Sequence, residues 1–198
     1  MGPPAGPNPR SGPYRGQTLN VFVMRIVAGE HRGARIFAPK GVDTRPTSDR
    51  VREAAFNLIG PVDGVSVLDL FAGSGAMGLE ALSRGAVSAK FVENDRAACR
   101  AIERNVEKLG VTGVAIVQRD VLQALATDRS TYDLVLCDPP YGYADHERLA
   151  LYLAKVLAPE GLLVYETGAR YEPRIDGLRT RTSRTYGSSR LTLFEHEP

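Results

Sequence analysis

The sequence predicts an α/β fold: a mostly parallel seven-stranded sheet with helices on both faces, closed by an antiparallel hairpin and preceded by a small hairpin-and-helix extension. Three observations carry that expectation. From residue 65 onward, short apolar runs alternate with helical patterns at the spacing of strand–helix–strand units. Acidic residues stand at or just past the ends of four successive apolar runs, on the edge where open α/β sheets hold ligands. Finally, residues 178–186 and 190–195 flank Gly187-Ser188-Ser189 with no helix between them, which reads as an antiparallel hairpin.

Residues 1–18 are rich in Pro, Gly, Ser and Arg and have little to bury, so they are expected to be disordered. They lack the apolar core of a signal peptide, and their Pro and Gly content excludes an amphipathic transit helix. Met24 directly precedes the first patterned segment. Residues 1–23 are therefore read as an unstructured extension, with Met24 as the alternative start. Residues 25–29 and 34–38 read as two short strands around the turn Glu30-His31-Arg32-Gly33. Thr47 or Ser48 is expected to cap a helix that runs to about Ile59 and stops at Gly60-Pro61. Its apolar set is Val51, Ala54, Ala55, Leu58 and Ile59, which leaves Arg50 and Arg52 outside the buried face.

The main unit, residues 61–198, is expected to hold strands at 65–70, 88–93, 114–118, 132–137 and 162–165. Helices are expected at 76–84, 96–109, 121–126 and 146–157, the last ending near Pro159-Glu160-Gly161.

Composition narrows the class. An apolar content of 43% is ample for a core in 198 residues, and no apolar run approaches the ~20 residues of a membrane helix. Cys99 and Cys137 have no metal-ligand or disulfide-framework spacing, which fits a reducing, cytoplasmic setting without a metal. His31, His146 and His196 are scattered and read as solvated loop residues. The overall charge of +2 hides an asymmetry: residues 1–60 carry nine Lys/Arg against four Asp/Glu, and residues 61–167 carry ten against fifteen. A basic front on an acidic body points to an anionic partner at the front.

The chemistry centres on Asp138-Pro139-Pro140-Tyr141, directly after an apolar run. Two prolines force the chain out of the sheet as a stiff extended loop. That loop presents a carboxylate, carbonyl acceptors and a flat ring, a set suited to a planar ligand bearing an amine, such as a nucleobase. The turn from Asp69 through Gly73, Gly75 and Gly78 lets the backbone approach a ligand at a helix start. In dinucleotide enzymes that turn holds pyrophosphate. Glu93 is expected to take ribose hydroxyls and Asp120 an adenine amine. Together with Asp69 and Asp138 they would repel a pyrophosphate and favour a cationic adenosine derivative. S-adenosyl-L-methionine, a sulfonium with an amino-acid tail, meets that description.

These segments resemble the motifs of class I S-adenosylmethionine-dependent methyltransferases. The front segment, with Arg25-Ile26-Val27-Ala28-Gly29, Arg32-Gly33-Ala34-Arg35, Arg45-Pro46-Thr47-Ser48-Asp49-Arg50-Val51-Arg52-Glu53 and Phe56-Asn57, resembles the RsmD family over about residues 24–195, including Tyr186-Gly187 in the last hairpin. That resemblance implies a Rossmann-like methyltransferase domain at 61–198 behind an RNA-binding hairpin and helix at 24–60. It further implies a methyl transfer to the exocyclic N2 amine of a guanine in 16S rRNA of the small ribosomal subunit. Asp138, Pro139 and Tyr141 would then be catalytic. Asp69, Gly73, Gly75, Glu93, Asn94, Asp120, Val121 and Asp138 would hold the cofactor. Arg25, Arg32, Arg35, Arg45, Arg50 and Arg52 would meet RNA phosphates, although Arg45 could equally face the cofactor. A monomer is the default. The alternatives are an adenine-N6 DNA methyltransferase, an NAD-dependent oxidoreductase and a non-catalytic ribosome-assembly factor.

Overall fold

The computed structural model describes residues 23–38 and 49–197. A small antiparallel ribbon joins β1 (Val23–Arg25) to β2 (Arg35–Phe37), and α1 (Asp49–Ile59) follows. The main unit then runs β3 (Ser66–Leu70), α2 (Ala76–Ser83), β4 (Ser88–Glu93), α3 (Arg96–Leu109), β5 (Val114–Gln118), α4 (Val121–Thr127), β6 (Tyr132–Cys137), α5 (His146–Val156), β7 (Leu157–Gly168), β8 (Leu178–Tyr186) and β9 (Ser189–His196). Seven strands form one sheet in the order β5-β4-β3-β6-β7-β9-β8, parallel from β5 to β7 and antiparallel on both sides of β9. This is the expected Rossmann-like architecture with its closing hairpin.

Strand order fixes where ligands can go. Successive β3 and β4 lie side by side, but the chain then crosses back to lay β6 on the other flank of β3. Connections therefore leave β3 in one direction and β6 in the other, which opens a crevice at their carboxyl ends. The sheet separates two cores. One face buries Ile26, Ile36, Phe56, Leu79, Ile102 and Leu191, covered by the ribbon, α1, α2 and α3. The other buries Leu125, Leu149, Leu153 and Phe194 under α4 and α5. The inner strands are buried on both faces, which explains their nearly continuous apolar sequences.

The N-terminal ribbon is tied to the main unit by a buried charge cluster. Glu80 of α2 is fully buried and accepts backbone N–H bonds from Val27 at 2.7 Å and Ala28 at 2.9 Å, plus the Arg84 Nε–H at 2.8 Å. Arg52 of α1, also fully buried, brings its Nε to 3.6 Å from Glu80 Oε2. Its other end donates to the Arg25 carbonyl at 2.6 Å and to Asp49 Oδ1 at 2.8 Å. Arg52 is thus an internal clamp rather than a phosphate contact. Helix α1 rotates Phe56 and Arg52 inward together, whereas Val51, Ala54 and Leu58 are only half-buried. An arginine tolerates that position because its charge is matched by Glu80 and Asp49.

Several boundaries differ from the sequence reading. The first strand ends at Arg25, because Val27 and Ala28 give their N–H groups to Glu80 instead of a strand partner. Strand β7 begins at Leu157, five residues early. Leu157 pairs with Tyr132 and Leu162 with Leu134, so residues 158–161 form an irregular excursion within the strand. His146 and His196 are not solvated loop residues. His146 opens α5 with its ring stacked on Tyr171, and His196 lies in β9 with Nε2 3.2 Å from the Leu157 carbonyl. Cys99 and Cys137 are both buried and unlinked. The expected cap at Thr47 or Ser48, Arg45 and residues 1–22 lie outside the described residues.

Candidate active site

Parallel register aligns the carboxyl ends of four neighbouring strands. Leu70 of β3 pairs with Val92 of β4 and with Cys137 of β6, and Glu93 of β4 pairs with Gln118 of β5. Asp120, Glu93, the turn after Asp69 and Asp138 therefore follow one another along a single edge. Three interstrand gaps make that row about 14 Å long.

The glycine turn is shaped by its backbone. Gly73 has φ 54° and Gly75 φ 77°, and a Cβ on Gly75 would come within 3.1 Å of Ile102. A Cβ on Gly78 would sit 2.4 Å from the Phe91 ring, so the third glycine lets α2 approach β4. Phe71 also has a positive φ of 58°, which a non-glycine residue adopts only where its surroundings enforce it. Its ring meets Tyr143 edge-on, with centroids 5.2 Å apart.

What the turn binds follows from its donors. The Gly73 N–H donates to Glu93 Oε2 at 2.8 Å, while Glu93 Oε1 accepts the Asp95 N–H at 2.8 Å. In a pyrophosphate site the glycine N–H groups aim at the ligand. Here one is already engaged by a carboxylate, which would itself repel phosphate. Asp69 deepens the negative character. It is 4% exposed, and Oδ2 accepts the Gly78 N–H at 2.9 Å. Burial pushes its pKa up to about 7, against the opposing Gly78 hydrogen bond and with help from the Glu93 charge. A buried carboxyl held near its titration point is stabilised as an anion by an arriving cation. The donor set thus fits a cationic adenosine derivative and disfavours a dinucleotide.

Other predicted positions have more local duties. Asp120 is exposed and caps α4, accepting the Gln123 N–H at 3.1 Å, so one of its oxygens is already engaged. Val121 is buried in the core, and only its backbone can face a ligand. Asn94 is exposed directly after Glu93. Asp138 and Tyr141 are exposed at the exit from β6, with Pro139 half-buried between them and the Tyr143 N–H bonded to the Pro140 carbonyl at 3.0 Å. Among the basic residues, Arg25, Arg32, Arg35 and Arg50 are exposed, and Arg25 is engaged by Asp49 at 2.7 Å.

The sequence reading missed the residues that frame the acceptor loop. Tyr143 packs edge-on against both Phe71 and His146. His146 Nδ1 lies 2.5 Å from the Tyr165 hydroxyl, and burial lowers its pKa. At the same edge of the sheet, beyond β7, the β8–β9 turn brings Ser188 Oγ to 3.5 Å from the Tyr141 hydroxyl. The tyrosine and histidine content downstream of Asp138 was the available signal for the first group. Nothing in sequence spacing joins Tyr141 to Ser188.

Comparison with known proteins places this geometry. A family described as Conserved hypothetical protein 95 matches residues 24–195. The chain belongs to that family, the RsmD family of methyltransferases. A Bacillus subtilis relative named "Putative rRNA methyltransferase YlbH" is 35% identical over 181 residues, covering 87% of this chain and 98% of the relative. The Escherichia coli "Ribosomal RNA small subunit methyltransferase D" is 40% identical over 119 residues, 60% of each chain. A solved Escherichia coli structure, "Putative methyltransferase yhhF", superposes with TM-score 0.80 at 32% identity, covering 88% of this chain and 98% of that one. RsmD-family membership spans both the front segment and the main unit, residues 24–195. It removes the oxidoreductase from consideration.

Proposed function

We propose that this chain transfers a methyl group from S-adenosyl-L-methionine to the N2 amine of one guanine in 16S rRNA of the small ribosomal subunit. The observation that carries the cofactor reading is the Gly73–Glu93 hydrogen bond, set beside the buried Asp69 in a row of carboxylates. The substrate reading rests on family membership and on the exposed Asp138-Pro139-Pro140-Tyr141 loop.

When bound, the cofactor supplies an electrophilic methyl group. The chain's part is to orient a poor nucleophile, since the guanine N2 lone pair is delocalised into the ring. Asp138 and the Pro139 carbonyl accept hydrogen bonds from the amine, which turns its lone pair out of conjugation. Tyr141 offers a face on which a base withdrawn from its stack can lie. Glu93 accepts the ribose hydroxyls with lone pairs left over from its two backbone bonds. Methylation would leave positive charge on the nitrogen as the sulfonium S–C bond breaks to a neutral thioether, and the surplus N–H proton would then pass to water. A carboxylate at Asp138 stabilises that charge without acting as a strong base. Holding the reactants in line accounts for most of the acceleration, a contribution of ~7–11 kcal/mol in well-oriented systems. The exposed Arg25, Arg32, Arg35 and Arg50 contact RNA phosphates.

Methyl transfer to unmodified small subunits, naked 16S rRNA and duplex DNA, run side by side, tests this reading. Transfer to the subunits supports it. Transfer to DNA alone would favour adenine-N6 chemistry, which the same loop can serve.

A further inference from the structure

Strand β8 carries Arg179, Arg181 and Arg184 on the outer edge of the sheet. Its register is broken at one point: Thr180 pairs with Phe194 and Thr182 with Leu193, so Arg181 is an extra residue with no partner. Such a bulge reverses the alternation of side chains beyond it. The two cores record that reversal. Leu178 packs with the α4–α5 side, whereas Tyr186, an even eight residues later, packs with the side bearing the ribbon, α1 and α2. In a regular strand both would share one face.

The bulge therefore turns Arg184 onto the face that carries α1 and the N-terminal ribbon. Arg184 pairs across from Leu191, which lies in that core. Arg184 is exposed, and among the described residues it donates to the neighbouring Ser183 carbonyl at 3.2 Å. Among the described residues it makes no ion pair, whereas Arg179 is neutralised by Glu195 at 2.7 Å. Glu166 lies in the same cross-strand row but two strands away, beyond Leu191, a separation of about 10 Å. Two residues past Arg184 the strand enters the turn whose Ser188 approaches Tyr141.

We infer that Arg184 binds a phosphate of the RNA strand leading to the target nucleotide, extending across β8 the basic surface that the exposed Arg50 of α1 begins. This rests on the rRNA methyltransferase reading. Arginines on an edge strand also guard it against pairing with other chains. That duty needs charge on the edge, whereas phosphate binding needs charge on one particular face.

The test uses full-length protein binding to unmodified small subunits between about 50 and 200 mM salt. Arg184→Ala is expected to flatten the plot of log affinity against log salt by roughly 0.7–0.9, the share of one phosphate contact. Affinity should fall roughly 3–10-fold, and the melting temperature should stay put because Arg184 is exposed. Arg184→Lys should keep most of the slope. Arg184→Ala combined with Thr185→Arg restores the charge on the opposite face and should not rescue binding. An unchanged slope in Arg184→Ala, or full rescue by Thr185→Arg, would overturn the inference. Methyl transfer by the wild-type chain to the same subunits reports separately on the underlying function. If the wild-type chain transfers methyl and Arg184→Ala binds like it, only this inference falls. Wild-type chain that neither binds nor methylates the subunits overturns both.

Discussion

Glu93 accepts the Gly73 N–H at 2.8 Å from twenty residues away, locking the glycine turn to the end of the neighbouring strand. Its second oxygen holds the Asp95 N–H, and Asp95 in turn caps α3 through Ala98. One carboxylate thus sets the shape of the turn, the start of α3 and the charge of the pocket. Glu93→Ala should leave two backbone donors without acceptors, at about 1–3 kcal/mol each where they are buried. It should also weaken S-adenosylmethionine binding by roughly tenfold or more, about 1.4 kcal/mol. Calorimetric titration and thermal melting measure the two effects separately. Unchanged affinity would remove Glu93 from the cofactor site.

Asp69 gives the pocket a pH dependence. Folding raises its pKa from an ordinary 3.8 to about 7, chiefly through burial. Between those values the folded chain holds a proton that the unfolded chain releases, so this residue makes stability fall as pH rises through that window. A cationic ligand favours the ionised form, so S-adenosylmethionine affinity should rise from pH 6 to 8. Asp69→Asn keeps an acceptor for Gly78 but should abolish both slopes. Titrations across that range check it, and a wild-type affinity flat in pH would contradict the account.

Arg52 and Glu80 are both fully buried, so the pair tests whether α1 is clamped from within. Glu80→Ala removes one of the two carboxylates that face Arg52 and the acceptor of the Val27 and Ala28 N–H groups. Removing one partner of such a pair typically costs ~3–5 kcal/mol, readable by denaturant unfolding. Arg52→Ala should likewise act on stability, with little change in the salt dependence of RNA binding. A large change in that dependence, with stability intact, would return Arg52 to the RNA surface.

Much of this architecture was legible because parallel strands buried on both faces must be apolar throughout, and the helices between them must be amphipathic. The α3 and β4 boundaries coincide with the sequence reading for that reason. Arg52 was not legible, since its burial depends on a carboxylate supplied by another helix. The early start of β7 was hidden by Pro159-Glu160-Gly161, which resembles a stop but lies within an irregular strand. The position of Asp120 directly after a strand suggests a ligand group. That same position is a helix cap, and the two duties share one signature. The facing of Arg184 depends on a single bulge, which no periodicity reveals in advance.

Tyr141 separates stacking from hydrogen bonding. Tyr141 is 62% exposed, and its hydroxyl is 3.5 Å from Ser188 Oγ. Tyr141→Ala should cost ~1–3 kcal/mol of base stacking, seen as a fall in kcat/KM. Tyr141→Phe should be mild. Equal losses in both variants would shift the role to the hydroxyl.

The most direct test of the central claim is nucleoside analysis of 16S rRNA after unmodified small subunits react with the protein and methyl-labelled S-adenosylmethionine, with Asp138→Ala run in parallel. The account predicts label in N2-methylguanosine with the wild-type chain and near-complete loss in the variant, which remains folded. Label in another nucleoside, or an Asp138→Ala variant as active as the wild type, would contradict it.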